Sequence, residues 1–215
     1  MSTQSELKDK RPEFLIEVYK QMMADINRHI IVVWQSIGVV VGSFATLSLV
    51  EKKVLSLDFA ASLFVLICSW SLALLIDSSY WYNRNLCIIA NIERLFLDNA
   101  DLRHVHYYFG EHRPKNKMIT TLKIQAVLAG GIGVLVVVYH FLFRVMPGFE
   151  LPIVNLSFVC ALPYIVILIA CILIVRLKKR RDKDYAEFLQ NSPGVVISTE
   201  GIKYGGGHGF DGGGG

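Results

Sequence analysis

Ionised side chains are nearly absent from four long stretches of this sequence. The stretches run from Ile30 to Val50, Leu55 to Ile76, Ile119 to Phe143 and Leu151 to Val175. A helix needs about 20 apolar residues to cross a bilayer core roughly 30 Å thick, and each stretch is long enough. We therefore expect an integral membrane protein with four spans. The mean hydropathy of +0.44 and the 53% of hydrophobic residues leave little chain for a separate soluble domain.

The sequence also lacks the patterns that common enzymes and metal sites need. Its four cysteines form no Cys-x-x-Cys pair, which argues against structural zinc and thiol redox chemistry. There is no Gly-x-Ser-x-Gly, no His-Glu-x-x-His and no pair of mid-membrane aspartates. With no Asp, Glu or Arg near the middle of a span, we do not expect a proton-coupled transporter, although a hydrophobic pore that gates by dewetting stays open. We expect no enzyme activity, no catalytic residue and no cofactor.

Three ionisable residues lie within the spans, all near span ends. Asp58 is near the outer end of the second span, Lys123 near the inner end of the third, and His140 near the outer end of the third. Side chains at such depths can reach water at the membrane surface. We expect all three to do so.

Lysine and arginine are distributed unevenly along the chain. Residues 1–29, the connector 77–118 and the tail 176–215 hold most of them. The two short loops have only Lys52, Lys53 and Arg144. The positive-inside rule then makes both termini cytoplasmic in a multi-pass membrane protein. The same asymmetry accounts for the +4 net charge, so nucleic acid is not an expected partner. The basic run after the fourth span is most simply a positive-inside anchor, and its second interpretation is a contact with anionic lipid.

These features predict an all-α fold, a four-helix transmembrane bundle with long cytoplasmic helical extensions. We divide the chain into a cytoplasmic amphipathic arm (1–29), transmembrane helices 1 and 2 (30–76), a cytoplasmic helical connector (77–118), transmembrane helices 3 and 4 (119–175), and a basic juxtamembrane segment with a Gly-rich tail (176–215). Membrane lipid is an obligatory partner of such a protein.

Small residues in two spans are typical of close helix packing. Gly38 and Gly42 lie four apart in the first span, and Ala129 and Gly133 do so in the third. The packing partner is either another span of the same chain or the same helix of another subunit, and the two ridges could also face each other. Pro163 is interior to the fourth span and predicts a kink, which is either purely structural or a hinge for gating.

The connector carries an amphipathic stripe of the kind found on long helices. No Gly or Pro follows Asp77 until Gly110, and apolar residues recur at spacings of three and four: Tyr82, Leu86, Ile89, Ile92 and Phe96. We expect one helix from Leu55 to Asn99, with this face as its signal-receiving surface. The N-terminal arm has a similar stripe between Leu15 and Ile26. The two helices are expected to pack together; the alternative is an arm that lies in the membrane interface.

Two further segments carry weaker signals. The potential metal ligands are densest at Asp101, His104, His106, Glu111 and His112. A His-x-His spacing interrupted by aromatic residues does not define a site, so we assign no metal. In the tail, the β-prone segment from Gly194 to Thr199 could add to the edge of a partner's sheet, although a disordered tail is the simpler expectation.

The segment from Tyr80 to Arg94, YWYNRNLCIIANIER, resembles SLATT-like effector membrane proteins of bacterial antiviral defence systems. The order of the elements and the chain length also suit the membrane component of the Kiwa system. The resemblance is one of architecture and carries over no functional residue. It implies a homo-oligomer that perturbs or senses the inner membrane together with a soluble cytoplasmic protein. Our leading hypothesis is a signal-responsive, pore-forming effector, and the alternative is a non-conducting scaffold that recruits a cytoplasmic protein.

Overall fold

The computed structural model describes residues 10–97, 101, 113, 115–149 and 157–191, and the backbone of two short strands in the tail. Nearly all of these residues are helical. The helices are α1 (Arg11–Gly42), α2 (Ala45–Glu51), α3 (Leu57–Phe96), α4 (Thr120–His140) and α5 (Leu162–Asn191). The strands, β1 (Lys203–Tyr204) and β2 (His208–Gly209), pair antiparallel. The all-α fold is confirmed, and the β-prone segment from Gly194 to Thr199 lies outside the described residues.

Four helical stretches are long and apolar enough to cross a membrane: Arg11–Glu51, Leu57–Phe96, Thr120–Phe149 and Phe158–Asn191. The last two expose many large apolar side chains, including Val127, Leu135 and Leu168. Such a surface is unfavourable in water and is the one that a bilayer covers. The chain is a multi-pass membrane protein.

The first span is two helices and not one. α1 ends at Gly42, and Ser43 and Phe44 form a turn before α2 begins. In this turn Ser43 Oγ donates to the Val40 carbonyl at 2.6 Å, and Thr46 Oγ1 donates to the Ser43 carbonyl at 2.7 Å. Hydroxyls that bond to nearby backbone carbonyls compete with the helical pattern and bend it. The apolar stretch from Ile30 to Val50 is thus part of one span that contains a turn.

By contrast, α3 runs for 40 residues without a break. This confirms a single long helix, although it runs from Leu57 to Phe96 and does not begin at Leu55 as expected; Asn99 lies outside the described residues. At 1.5 Å per residue its length is about 60 Å, roughly twice the thickness of a hydrocarbon core. α5 also continues beyond the predicted end of its span at Val175, as far as Asn191, so the basic juxtamembrane segment is helical.

The chain divides into two compact units. The spanning unit consists of Ile30–Ser79 and Met118–Arg181, and the connector unit of Met1–His29, Tyr80–Lys117 and Asp182–Gly215.

Within the spanning unit, α3 is the most buried helix. Half of its most apolar window is buried, against 22% for the first span and 11% for each of the other two. Val33 from α1, Leu75 from α3 and Leu122 from α4 form a buried apolar cluster. α3 is therefore the helix around which this unit packs.

The connector unit has two apolar clusters on α3. In the first, Ile26 from α1 packs with Leu86 and Ile89, which confirms that the N-terminal arm packs on the connector helix. In the second, Tyr185 from α5 packs with Tyr80 and Cys87. The second cluster was not predicted, because the sequence segment after the fourth span reads mainly as a basic anchor.

Truncation of Ile89 tests the packing of the arm. Its side chain is fully buried (0% exposed) in the first cluster, so Ile89→Ala leaves a cavity. We expect the free energy of unfolding to fall by about 2–5 kcal/mol. Thermal or denaturant unfolding of the detergent-solubilised protein, followed by circular dichroism, measures the change. Leu95→Ala, at a position on the same helix that is 58% exposed, is the matched control, and an equal loss in both variants would contradict the packing.

Candidate functional site: a buried charged cluster in the spanning unit

A carboxylate and an imidazole meet inside the spanning unit. Asp58, in the first turn of α3, lies with Oδ1 2.8 Å from Nε2 of His140, the last residue of α4. Asp58 Oδ2 accepts a hydrogen bond from Arg144 Nε at 3.3 Å. On the other side of the imidazole, Nδ1 is 3.2 Å from the hydroxyl oxygen of Tyr164 in the first turn of α5. We call these four residues the ion cluster; they join α3, the end of α4 and α5.

Two members of the ion cluster, Asp58 and His140, are almost closed to solvent, and the other two are partly exposed. Asp58 is 3% exposed and His140 is 0% exposed, while the side chain of Arg144 is 38% exposed. The expectation that Asp58 and His140 reach water is therefore wrong. The physical reason is that each has a polar partner on a neighbouring element, so that burial does not leave an ionised group unpaired. Lys123, by contrast, is exposed as expected.

Local chain geometry explains how His140 and Arg144 reach the same carboxylate. They are four residues apart, a spacing that puts two side chains on one side of a helix. Between them the chain changes from the α helix to a π turn over Phe141–Val145. Turns of this kind are commonly found at functional sites in helices.

The two ring nitrogens of His140 have different partners. Nε2 faces the Asp58 carboxylate, and Nδ1 faces the Tyr164 hydroxyl. Tyr164 also lines a surface cavity of about 350 Å³.

The opposite end of α3 in the spanning unit carries a second ion pair. Arg181 Nη2 lies 2.5 Å from Asp77 Oδ1, and Arg181 Nε donates to the same oxygen at 2.7 Å. This bidentate arrangement ties α5 to α3 at that end. Arginine is suited to the role because its planar guanidinium can present two donors to one carboxylate.

The predicted signal-receiving stripe is mostly covered within the connector unit. Leu86, Ile89 and Ile92 are buried, Tyr82 is half-buried, and Phe96 is exposed. The covering elements include α1, from which Tyr19 donates a hydrogen bond to Glu93 Oε1 at 3.2 Å. Burial, with a smaller effect of Glu93, raises the pKa of Tyr19 above its usual value. The stripe is thus a packing surface of the chain itself.

A polar chain also holds the connector unit together. Asn83, fully buried, donates to Asn116 Oδ1 at 2.9 Å and to the Lys117 carbonyl at 3.0 Å. Asn116 in turn donates to Asp182 Oδ1 at 3.1 Å. Through Asn116, the segment before α4 is bonded to both α3 and α5. Nothing in the spacing of these residues pointed to this network.

A tyrosine anchors the end of α5 in the same unit. The Tyr185 hydroxyl donates to the Arg113 carbonyl at 2.7 Å and lies 3.2 Å from Cys87 Sγ. Burial, with a further effect of Cys87, raises the pKa of Tyr185 well above its usual value. The phenol is thereby kept neutral in the folded protein.

The two predicted small-residue ridges have different surroundings. A Cβ added at Gly133 would lie 3.6 Å from Cys68 Cβ of α3, and Ala129 is buried, so α4 approaches α3 closely along this ridge. Gly38 and Gly42 have open space in front of them. The two ridges do not face each other. Packing of the first ridge on another subunit, one of the two alternatives, stays a prediction.

Pro163 lies in the first turn of α5, directly after a 3-10 turn at Phe158–Ala161. Proline is well accommodated there, because the first backbone N–H groups of a helix have no intrahelical acceptor. Its expected position in the interior of a helix is therefore wrong, and a hinge at Pro163 stays a prediction.

Of the potential metal ligands near the end of the connector, only Asp101 is among the described residues; His104, His106, Glu111 and His112 lie outside them. In the part of the chain that the structure describes, no group of three or more metal-ligating side chains occurs.

The ion cluster was not predicted because its members are far apart in the sequence. Each of them, taken alone, also has a simple structural explanation. A usable signal did exist: Asp58 begins the second span, whereas His140 and Arg144 end the third. Spans that run in opposite directions place these positions at the same membrane face. Opposite charges at one face of neighbouring spans would have suggested a pair.

Comparison with known proteins adds no identity: no family model, no curated protein and no solved structure matches the chain.

Substitution of Asp58 tests the energetic role of the ion cluster. Asp58→Asn leaves Arg144 without its carboxylate in a largely buried site, and we expect the free energy of unfolding to fall by about 3 kcal/mol. The unfolding midpoint in detergent measures the effect. Glu51→Gln removes an exposed carboxylate at the end of α2 and should change the free energy of unfolding by no more than about 0.5 kcal/mol. An Asp58→Asn protein as stable as the wild type would show that the cluster contributes nothing.

Tyr185 predicts a loss of stability at alkaline pH. Its pKa is raised in the folded protein, so the unfolded chain releases the phenol proton first, near its ordinary pKa of about 10. The stabilisation is complete below that value and is lost as pH rises above it. Near neutral pH, Tyr185→Phe should lower the free energy of unfolding by about 1 kcal/mol, through loss of the bond to Arg113. Above about pH 10 its stability should fall less steeply than that of the wild type. Parallel pH profiles of the two proteins would contradict this assignment.

Proposed function

We propose that this chain is a signal-responsive membrane effector without enzyme activity, working as a homo-oligomer in the bacterial inner membrane with a soluble cytoplasmic partner. The observation that carries the proposal is the ion cluster of Asp58, His140, Arg144 and Tyr164. Ionisable groups buried between membrane helices are costly and commonly belong to functional elements.

The ion cluster supports this role because its bonds join three helix ends, so that forming or breaking them would define two arrangements of the spans. With its bonds formed, it holds the first turn of α3 to the end of α4 and the start of α5. With Asp58 unpaired, those helix ends are free to separate, and charged groups gain access to water. A signal that favours the second arrangement shifts the population towards it and opens the helices at that face.

The exposed surface of the connector unit supports a contact with the soluble partner there. Since most of the predicted stripe is covered, the exposed apolar residues are better candidates: Phe14, Ile16, Leu95 and Phe96. Large apolar side chains that are exposed in the folded chain are candidates for contact with another protein. α1, α3 and α5 have residues in both units, and a continuous helix can carry a rotation along its axis.

Charge and packing support the proposed orientation and assembly. By the positive-inside rule, the distribution of Lys and Arg favours cytoplasmic termini. Among the described residues, nothing lies within 4 Å of a Cβ added at Gly38 or Gly42, which is compatible with a helix of a second copy at that position.

A leak assay tests the effector function. If the ion cluster keeps the spans closed, Asp58→Asn should raise the basal release of a small ion from proteoliposomes several-fold over the wild type. Glu51→Gln is the charge-matched control and should leak like the wild type. Size-exclusion chromatography and circular dichroism establish that each variant is folded, and Arg144→Gln, which breaks the cluster from its more exposed side, is a second variant.

Folded Asp58→Asn and Arg144→Gln proteins whose liposomes remain as tight as those of the wild type would overturn the effector proposal in favour of the scaffold. Deletion of residues 195–215 separates the two functions further. For a scaffold that recruits through its tail, the deletion releases the associated soluble protein into the cytosol on cell fractionation. For an effector, the leak of Asp58→Asn persists in the shortened chain.

A further inference from the structure

α5 carries exposed cations on one face, directly after its apolar part. Arg176, Lys179 and Arg180 are all exposed, and their spacings of three and four put them on the same side of the helix. Arg181, on another side, is instead bonded to Asp77. Within the described part of the chain, none of the three exposed cations forms an ion pair with a carboxylate. They form a positive stripe that is available to a ligand.

The positive stripe continues an exposed apolar stripe on the same face. Ile165, Ile169 and Ile172 are 50%, 52% and 44% exposed, and they precede Arg176 at helical spacings of four, three and four. Residues 162–181 contain neither Asp nor Glu. One face of α5 is thus apolar over three turns and then cationic over the next turn.

We propose that this face of α5 is a binding site for an anionic phospholipid, with the acyl chains along the isoleucines and the phosphate of the headgroup at Arg176, Lys179 and Arg180. The order of the two stripes matches the order of the two parts of a phospholipid along the membrane normal. Cations at the membrane surface favour anionic over zwitterionic lipid, and guanidinium groups bind phosphate oxygens in a bidentate manner. A nucleic acid or an acidic peptide would satisfy the cations but not the adjoining isoleucines. The site is independent of the ion cluster and of the proposed effector function.

Lipid titration of the purified full-length chain tests the proposal. In mild detergent, native mass spectrometry measures the binding of phosphatidylglycerol and of phosphatidylcholine with the same acyl chains. We expect the wild type to prefer phosphatidylglycerol, and Lys179→Gln/Arg180→Gln to lower this preference by about tenfold. The control variant Lys52→Gln/Lys53→Asn removes two exposed cations from the loop after α2 and should keep it. Asn is chosen at position 53 because Lys53 has φ of 57°, a conformation that Asn tolerates.

Three outcomes overturn the site. The first is equal binding of the two lipids by the wild type. The second is an equal loss of preference in the control variant, which would mean that the overall charge of the protein alone determines its preference for phosphatidylglycerol. The third is displacement of phosphatidylglycerol by millimolar inorganic phosphate, which would mean that the cations bind phosphate without the lipid. Arg176→Gln removes the third cation singly and should lower the preference several-fold, so the proposal can still be tested if the double variant aggregates.

Discussion

The arrangement of the spanning unit depends on the burial of one carboxylate. Moving an ionised carboxyl group out of water is so unfavourable that an unpaired Asp58 would disrupt any packing around it. The chain meets this constraint from two sides, with the His140 imidazole on one oxygen and the Arg144 guanidinium on the other. Both partners come from a single turn of chain at the end of α4, and Tyr164 extends the bonding to α5. The need to pair the Asp58 carboxylate therefore determines which helix ends are neighbours. The apolar contacts along the spans depend on this arrangement of helix ends.

Apolar packing alone would specify this unit poorly, because lipid tails are about as apolar as leucine and do not drive helices together. α3 approaches its neighbours where side chains are small or polar. Ser71 lies 3.4 Å from Ser36 of α1 between their hydroxyl oxygens, and Cys68 packs on the Gly133 backbone of α4. These contacts require close approach and hold helices in register. The large apolar side chains of α4 and α5 remain on the outside, as a lipid solvent requires.

Much of the fold could be predicted from the sequence, and the ion cluster could not. The four spans, the unbroken α3 and the packing of the N-terminal arm are encoded locally, by runs of apolar residues and by stripes at helical spacing. The cluster depends on which helix ends meet, and this is a property of three distant segments together. The same limit explains the error for Pro163, since the beginning of α5 depends on the preceding 3-10 turn and not on hydropathy. The hydrogen bond between Asn83 and Asn116 could not be predicted from the sequence either, because isolated asparagines form no periodic pattern.

The two aspartates of α3 both form ion pairs, and these pairs lie about one hydrocarbon thickness apart. Asp58 and Asp77 are 19 residues apart, a separation of about 28 Å along an α helix, close to the thickness of a hydrocarbon core of roughly 30 Å. Each forms an ion pair with an arginine from another segment of the spanning unit. Asp58 pairs with Arg144, and Asp77 pairs with Arg181. Charged pairs of this kind are least costly at the edges of the core, where headgroups and water are within reach. The separation of the two pairs therefore matches the thickness of a hydrocarbon core, and α3 is longer than that thickness by the residues from Ser78 to Phe96.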